Sequence, residues 1–260
     1  LTEAMRYSVL AGGKRFRPIL SYCVADMFGA NLDLVDSSSC AVEFIHAYSL
    51  IHDDLPAMDD DDIRHNQPSC HKRFDEAQAI LAGDGLQALA FEVLVNDPLL
   101  DNQVKIDLLS SLAHAAFEMA EGQAIDLSIV DQTVSIDLLE KMHHKKTGEL
   151  LSCAVDLGAI VAQCSEQECT ILKVFSQAIG LAYQIQDDVL DVEAPVGILG
   201  KQQHSDSKKN KPTYPAIIGL QESKDAYQAL YLQANDCLSD LSMDAQVLQR
   251  LIKKLQTREF

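Results

Sequence analysis

The chain has 260 residues, 47% of them hydrophobic, and a formal net charge of −18 at pH 7. This acidic balance argues against a nucleic-acid partner, because contacts with phosphates require a basic face. We see no signal peptide and no uncharged apolar run of about 18 residues, so we expect no membrane insertion. The seven cysteines are odd in number and contain no Cys-x-x-Cys pair, which indicates reduced thiols and a cytoplasmic protein.

Nearly every segment has the hydrophobic period and the length of a helix. Valine, isoleucine and threonine do not cluster into alternating runs, and no turn signal joins two strand-like segments. Gly29, Asp97-Pro98 and Gly122 are interpreted as helix stops. The predicted helices are 17–28, 35–54, 75–96, 102–121, 136–162, 167–192, 214–220, 224–239 and 245–255. We therefore predict an all-α protein, a single domain over residues 1–260 that forms a helical bundle around a central cavity.

The first motif is a glycine pair followed by cations. Lys14, Arg15 and Arg17 come directly after Gly12 and Gly13, at the start of a predicted helix. The glycines let the backbone turn closely, and backbone N–H groups at a helix start attract anions. The motif predicts an anion site, although a solvated basic helix start is the plain alternative.

The second motif is a run of carboxylates. Six aspartates lie between Asp53 and Asp62, after a mostly apolar helical segment over residues 41–51. Clustered carboxylates repel one another and resist desolvation, so a cation between them is favoured. Alone, such a run is more often a solvated acidic loop. A calcium loop of the EF-hand type is disfavoured, because the alternating spacing and the central glycine are missing.

A second acidic cluster changes this interpretation. Asp187, Asp188 and Asp191 also follow an apolar helical run, and Asp187 and Asp191 are four residues apart, so they share a helix face with Gln184. Two such clusters predict one site that holds divalent cations and a polyanion. Magnesium suits it, because it is usually held by a few carboxylates together with substrate phosphates. Bound cations also resolve the conflict between an acidic protein and an anionic ligand.

Basic residues recur later in the chain. Lys145, Lys146 and Thr147 precede Gly148 within a predicted helix, where a glycine loosens the helix and frees carbonyl groups. A solvated lysine pair is the alternative. Residues 193–213 are polar, irregular and rich in lysine, which is typical of a lid that closes over phosphates.

These motifs together resemble those of the trans-isoprenyl diphosphate synthases, and most closely the bacterial farnesyl diphosphate synthases. The resemblance covers nearly the whole chain, in family order, although members of the family usually have a further helix before the position of Leu1. The matching segments are Gly12 to Pro18, Asp53-Asp54-Leu-Pro-Ala-Met-Asp59 with its two-residue insertion, Lys146-Thr147-Gly148, Asp187-Asp188-Val-Leu-Asp191, Gly200-Lys201 and Lys211-Pro-Thr-Tyr-Pro215.

The resemblance implies a metal-dependent prenyl transfer. About three magnesium ions per site, for which manganese can substitute, would act as Lewis acids and as a template. The implied metal ligands are Asp53, Asp59 and Asp187, assisted by Asp54, Asp188 and Asp191. The implied catalytic residues are Asp53, Asp59, Asp187, Lys146, Thr147, Gln184 and Lys201.

The resemblance also implies two substrate sites. Lys14, Arg17 and His46 would bind isopentenyl diphosphate. Arg64 would bind the allylic diphosphate, as its planar fork suits phosphate, together with Lys146 and Lys201. Thr147 and Gln184 would lie beside the developing allylic cation, and Lys211 is a further implied substrate-binding residue. His65 and Asn66 stand where the family has Arg-Gly. His65 is shorter than arginine and mostly neutral at pH 7, so we expect a weaker isopentenyl diphosphate site.

Product length is expected to depend on the helix that carries Asp53. Tyr48 and Ser49 lie about one turn before Asp53, where the tail of a growing product would arrive. An aromatic residue at position 48 together with the insertion marks the farnesyl-producing bacterial type. We predict that Tyr48 is the floor of the cavity, with Phe117 across the cavity as the alternative.

The expected activity is a magnesium-dependent, head-to-tail 1′–4 condensation of isopentenyl diphosphate with dimethylallyl or geranyl diphosphate to give farnesyl diphosphate, in a homodimer. The alternatives are a geranylgeranyl or longer-chain synthase, a terpene cyclase, and a non-catalytic regulatory subunit of the same fold. A cyclase would not need Lys14 and Arg17 for a second diphosphate. Regulatory subunits usually lose an aspartate motif, whereas both are intact here.

Overall fold

The computed structural model of the chain describes residues 1–193 and 211–257. The described part is almost entirely helical, which confirms the predicted all-α class. Its helices are α1 (Thr2–Leu10), α2 (Phe16–Met27), α3 (Asp36–Asp53), α4 (Cys70–Arg73), α5 (Glu76–Val95), α6 (Asn102–Ser128), α7 (Ile136–His143), α8 (Glu149–Val161), α9 (Glu166–Glu193), α10 (Tyr214–Ile218), α11 (Leu220–Cys237) and α12 (Gln246–Gln256). Short 3₁₀ turns cover Leu32–Leu34 and Leu238–Asp240, and a π-helical turn covers His144–Gly148.

The main core lies between the long helices. α3 packs against α2, α5 and α8, while α9 packs against α8 and α11. The contact faces repeat at helical spacing, as in α2, where Leu20, Val24 and Ala25 are fully buried. The same core continues into α8, whose buried residues cover nearly its whole length. The bundle thus holds the C-terminal end of α3 and the second half of α9 on rigid elements.

Two glycine-related predictions need correction. α6 does not stop at Gly122 but continues to Ser128. A Cβ atom on Gly122 would lie 2.2 Å from the backbone nitrogen of Lys146, so the glycine allows a close helix crossing instead of ending a helix. The predicted single helix 136–162 is interrupted by the π turn that contains Lys146.

The described residues also contain one short antiparallel hairpin that the sequence did not predict. Strand β1 (Ile63–Arg64) pairs with β2 (Gln67–Pro68), with Arg64 opposite Gln67. His65 and Asn66 form its turn with positive φ angles of 52° and 61°. Two central residues with positive φ are the mark of a type I′ turn.

Helix α5 is the one described helix that is long and apolar enough, by length and composition, to cross a membrane. It contains Asp84 and Glu92, so it is not an uncharged apolar run. Its buried residues, among them Ala79, Leu86 and Leu94, recur at helical spacing, and it packs closely against α3. Burial of one face in this way is what a core helix of a bundle shows.

Candidate active site

Three adjoining cavities meet where Arg17, His46 and Leu50 line all of them. The central cavity encloses about 1370 Å³ of empty space, including its open mouth. Its wall brings together side chains that are far apart in sequence: Asp53, Asp59, Arg64, His65, Lys146, Thr147, Gln184, Asp187, Asp188 and Lys211. Both aspartate clusters therefore face one space. Lys201 lies outside the described residues.

The loop after α3 folds back on the helix end and carries Asp59 toward Asp53. The backbone N–H of Asp59 donates to the carbonyl of Asp53 at 2.9 Å. The Asp53 carboxylate accepts a hydrogen bond from Gln123 Nε2 and lies 3.7 Å from Lys146 Nζ. Asp59 is 2.9 Å from Lys211 Nζ. Both carboxylates are thus held beside cations on the cavity wall.

Asp54 has a different environment from its neighbour. It is only 2% exposed and pairs with Arg64, whose Nε lies 3.0 Å from Oδ1 and 3.3 Å from Oδ2. Burial raises the pKa of Asp54 to about 6, although the Arg64 guanidinium acts to lower it. The pair fixes the guanidinium at the border between the central cavity and the cavity around Lys14.

The second aspartate cluster likewise contains one aspartate that lines the cavity and one that is buried and paired. Asp187 is exposed and lines the central cavity. Asp188 is buried; its Oδ2 accepts the backbone N–H of Tyr214 at 2.9 Å and lies 3.4 Å from His143 Nε2. Asp191 is half-buried, one turn further along α9. Asp188 therefore joins α9 to the start of α10.

Asp126 is a buried site residue to which the sequence analysis assigned no role. Its carboxylate is 3% exposed and accepts hydrogen bonds from Lys146 Nζ at 2.7 Å and Lys211 Nζ at 2.8 Å. Burial acts to raise the pKa of Asp126, but the two lysines outweigh it and lower that pKa. Burial acts to lower the pKa of Lys211, but Asp126 and Asp59 raise it. Asp126 and Lys211 are therefore both charged at neutral pH.

The π turn sets the position of Lys146 and Thr147. A π turn inserts an extra residue in the helical repeat, and such turns are frequent at functional sites. Close packing favours it here, because the backbone of Lys146 touches Gly122 and the Cα of Gly148 lies 3.2 Å from where a Cβ on Gly180 would be. Lys146 and Thr147 consequently line both the central cavity and the apolar one.

The second cavity, of about 1000 Å³, is cationic. Gly12 and Gly13 have φ angles of 114° and 96°, which the loop needs in order to turn before α2. Lys14, Arg15 and Arg17 line the cavity, and Arg15 also pairs with Glu43 and the Val9 carbonyl. Burial lowers the pKa of Arg17, and its buried Nε has no hydrogen-bond partner. An unpartnered guanidinium N–H that lines a cavity suits an anionic ligand.

His46 and His65 also line this cavity. Burial, followed by the charges of Arg17, His65, Arg64 and Arg15, lowers the pKa of His46 well below 6.5, so His46 acts as a neutral hydrogen-bonding group. The ring of His65 lies against the glycine loop, with Cε1 3.4 Å from where a Cβ on Gly13 would be.

The third cavity, of about 960 Å³, is largely apolar. Tyr48 and Ser49 line it together with Met58, Met119, Ala120, Ala124 and Leu127. The half-buried Tyr48 ring contacts the His52 ring edge to face at 5.6 Å, and Ser49 donates to the His46 carbonyl at 2.8 Å. Phe117 does not line this cavity. It is 62% exposed on the outer side of α6, so the alternative floor suggested from the sequence is wrong.

Oxygen donors dominate the central cavity, and this composition fits a hard divalent cation. Asp53, Asp59 and Asp187 contribute carboxylates to the lining of this cavity, and a cation such as Mg²⁺ prefers such ligands. Two lysines, Lys146 and Lys211, partly neutralise the carboxylates that surround them. The free cysteines of the described chain do not line this cavity.

Comparisons with known proteins find relatives over nearly the whole chain. The sequence profile of the polyprenyl synthetase family matches residues 1–252. The chain is 44% identical to farnesyl diphosphate synthase of Escherichia coli over 259 residues, covering 96% of this chain and 87% of that protein. It is 41% identical to geranylgeranyl pyrophosphate synthase 11 of Arabidopsis thaliana, covering 94% of this chain and 70% of that protein. The crystal structure of Helicobacter pylori geranyltransferase complexed with magnesium and isoprenyl diphosphate is similar, with a TM-score of 0.87, 31% identity and coverage of 97% of this chain and 86% of that one.

Proposed function

The chain belongs to the polyprenyl synthetase family, and on this premise we propose that it is a farnesyl diphosphate synthase. It is a prenyltransferase that joins isopentenyl diphosphate head to tail to dimethylallyl or geranyl diphosphate, in a magnesium-dependent 1′–4 condensation. The observation that carries the proposal is the junction of three cavities of different chemistry at Arg17, His46 and Leu50. One cavity is acidic, one is cationic, and one is apolar.

The allylic diphosphate occupies the acidic cavity. Asp53, Asp59 and Asp187 would hold about three magnesium ions, with Asp54, Asp188 and Asp191 assisting, and Mg²⁺ when bound supplies Lewis acidity and a template for the diphosphate. Arg64, Lys146 and Lys211 stabilise the leaving diphosphate by charge. Such fixed charges act strongly where water is excluded.

Breaking the bond between the allylic C1 and the diphosphate oxygen leaves a carbocation. The carbonyls of the π turn at Lys146 and Thr147 and the amide of Gln184 stabilise this cation by their dipoles. This role is supported by the position of all three residues on the wall of the central cavity. No side-chain nucleophile is needed.

Isopentenyl diphosphate occupies the cationic cavity. Lys14 and Arg17 bind its diphosphate by charge, with neutral His46 and with His65 as hydrogen-bonding partners. The unpartnered Arg17 Nε supports this assignment. The double bond then attacks the allylic C1 and a carbon–carbon bond forms. Transfer of a proton to the released diphosphate restores a double bond.

The growing tail enters the apolar cavity beside Tyr48. Apart from Arg17, Asp53 and Lys146, which also line the central cavity, the lining is uncharged, and burial of apolar surface favours the tail there. A geranylgeranyl synthase is the second candidate, because the chain also resembles a protein of that name. The depth of the apolar cavity decides between a farnesyl and a geranylgeranyl diphosphate synthase.

We further propose a cytoplasmic homodimer. Exposed apolar side chains line the outer surfaces of α5 and α6, namely Ile80, Leu81, Val95, Ile106 and Phe117. Exposed apolar side chains on two helices that pack against each other favour an interface with a second copy of the chain. Sedimentation of the wild type and of Phe117→Lys tests this: dimers are expected for the wild type, and an equally stable dimer in the variant would contradict the assignment of this surface.

The function is tested with labelled isopentenyl diphosphate and each allylic primer in turn. Turnover with dimethylallyl and geranyl diphosphates to a fifteen-carbon product is expected. Chelation of divalent ions should abolish it and magnesium should restore it. A twenty-carbon product would identify the second candidate, and no turnover with any primer would identify a regulatory subunit.

A further inference from the structure

Three side chains outside the three cavities form a separate cluster. A carboxylate oxygen from each of Asp60 and Asp62 and a ring nitrogen of His71 all lie within 4.8 Å of one another. In residues 1–193 and 211–257 no other group of three His, Cys, Asp or Glu side chains is arranged in this way. None of the three residues lines the central, cationic or apolar cavity.

His71 shows the features of a metal ligand. It is 7% exposed, and its buried Nε2 has no hydrogen-bond partner. Its other ring nitrogen, Nδ1, lies 3.1 Å from Ser69 Oγ. Ligating histidines are commonly held by such a bond at the second nitrogen, which orients the first toward the ion.

A cation already occupies the neighbourhood of the carboxylates. Lys72 Nζ lies 2.9 Å from Asp62 and 3.9 Å from Asp60. Its side chain is 42% exposed, so it is free to move into solvent when a divalent ion replaces it. The carboxylates are exposed as well and have room to close on an ion.

We propose that Asp60, Asp62 and His71 bind one divalent transition-metal ion of the Zn²⁺ class, at a site distinct from the magnesium site. Two carboxylate oxygens and one imidazole nitrogen, completed by water, are a donor set that zinc accepts and that magnesium does not prefer. Asp62 immediately precedes β1 and His71 lies in α4, just after β2. The ion would therefore clamp both ends of the hairpin that carries Arg64 and His65.

The test uses the whole chain and Zn²⁺ in excess Mg²⁺, which fills the oxygen sites. Equilibrium dialysis should show one bound Zn²⁺ per chain. Asp60→Asn should weaken binding by more than about tenfold, and His71→Ala should abolish it. Lys72→Ala should tighten binding, because the competing ammonium is gone. His114→Ala, which removes an exposed histidine elsewhere, is the matched control and should bind as the wild type does.

Co²⁺ in place of Zn²⁺ gives a second readout through its visible absorption. The expected spectrum lacks the intense near-ultraviolet band of thiolate ligation. The proposal is overturned if the wild type binds no Zn²⁺ under excess Mg²⁺, if the thiolate band appears, or if Asp60→Asn binds as tightly as the wild type. Asp60 is exposed, so Asp60→Asn decides the matter even if His71→Ala does not fold.

Discussion

Replacing Tyr48 by alanine is expected to lengthen the product. The half-buried Tyr48 ring lines the apolar cavity one turn below Asp53. The substitution deletes about seven non-hydrogen atoms and leaves a void where the ring stood. One isoprene unit adds about five carbons, so the void is large enough for one further unit of the tail, within the packing tolerance of a core.

The size of the effect follows from the apolar surface that the extra unit buries. Full burial of five carbons contributes up to about 4 kcal/mol at about 0.8 kcal/mol per methylene. The cavity is open toward its mouth, so about half of this is realistic. About 2 kcal/mol corresponds to a roughly 30-fold preference for continued extension. The main product should then change from fifteen to twenty carbons.

The assay is reverse-phase chromatography of the dephosphorylated products made from geranyl diphosphate and labelled isopentenyl diphosphate. Tyr48→Phe keeps the ring and should keep the fifteen-carbon product. Phe44→Ala removes an aromatic ring from the same helix that does not line the cavity, so it controls for loss of packing. A fifteen-carbon product from Tyr48→Ala, with product unchanged in both controls, would refute the steric argument and move the floor to Met119 or Leu127.

The remaining predictions concern the metal site, the histidine that replaces the family's arginine at position 65, and the carboxyl group of Asp156. Asp53→Ala and Asp187→Ala should each lower kcat by roughly 10²-fold; near-normal steady-state rates in both would put the metal site elsewhere. His65→Arg should lower the KM for isopentenyl diphosphate about tenfold, if one charge-assisted hydrogen bond of ~1.5 kcal/mol is gained, and leave the allylic KM unchanged; an unchanged isopentenyl KM would contradict this. Burial raises the pKa of Asp156 from 3.8 to about 6, so the folded state retains a proton that the unfolded state releases. The wild type should therefore lose roughly 2 kcal/mol of stability relative to Asp156→Asn between about pH 4 and about pH 6; parallel urea-unfolding stabilities across this range would show that the carboxyl is solvated.

Local patterns accounted for the fold class and for most of the helix bounds. Helical periodicity depends on residues three and four apart, so it placed α3 and α9 to within a residue or two at each end. The aspartate clusters were also visible, because each lies within one short segment. That they face the same space followed from the paired pattern, and the cavity lining agrees with it.

The errors arose where distant segments determine local structure. Gly122 looked like a helix stop, but its role is to admit the backbone of Lys146, which is 24 residues away in the chain. The type I′ turn at His65 and Asn66 lacks the usual Asn-Gly pair, so no dipeptide signalled it. The outward direction of Phe117 depends on which face of α6 packs against α8.

Asp126 shows most clearly what only the tertiary structure decided. Its two partners, Lys146 and Lys211, follow it by 20 and 85 residues. Similarly, Arg15 and Arg17 are two residues apart in the sequence, whereas the fold pairs Arg15 with Glu43 and leaves the buried Arg17 Nε without a partner. Charge in a sequence shows that a residue can bind an ion. Which carboxylate or ligand it meets depends on desolvation and on neighbours supplied by other helices, and these exist only once the chain has folded.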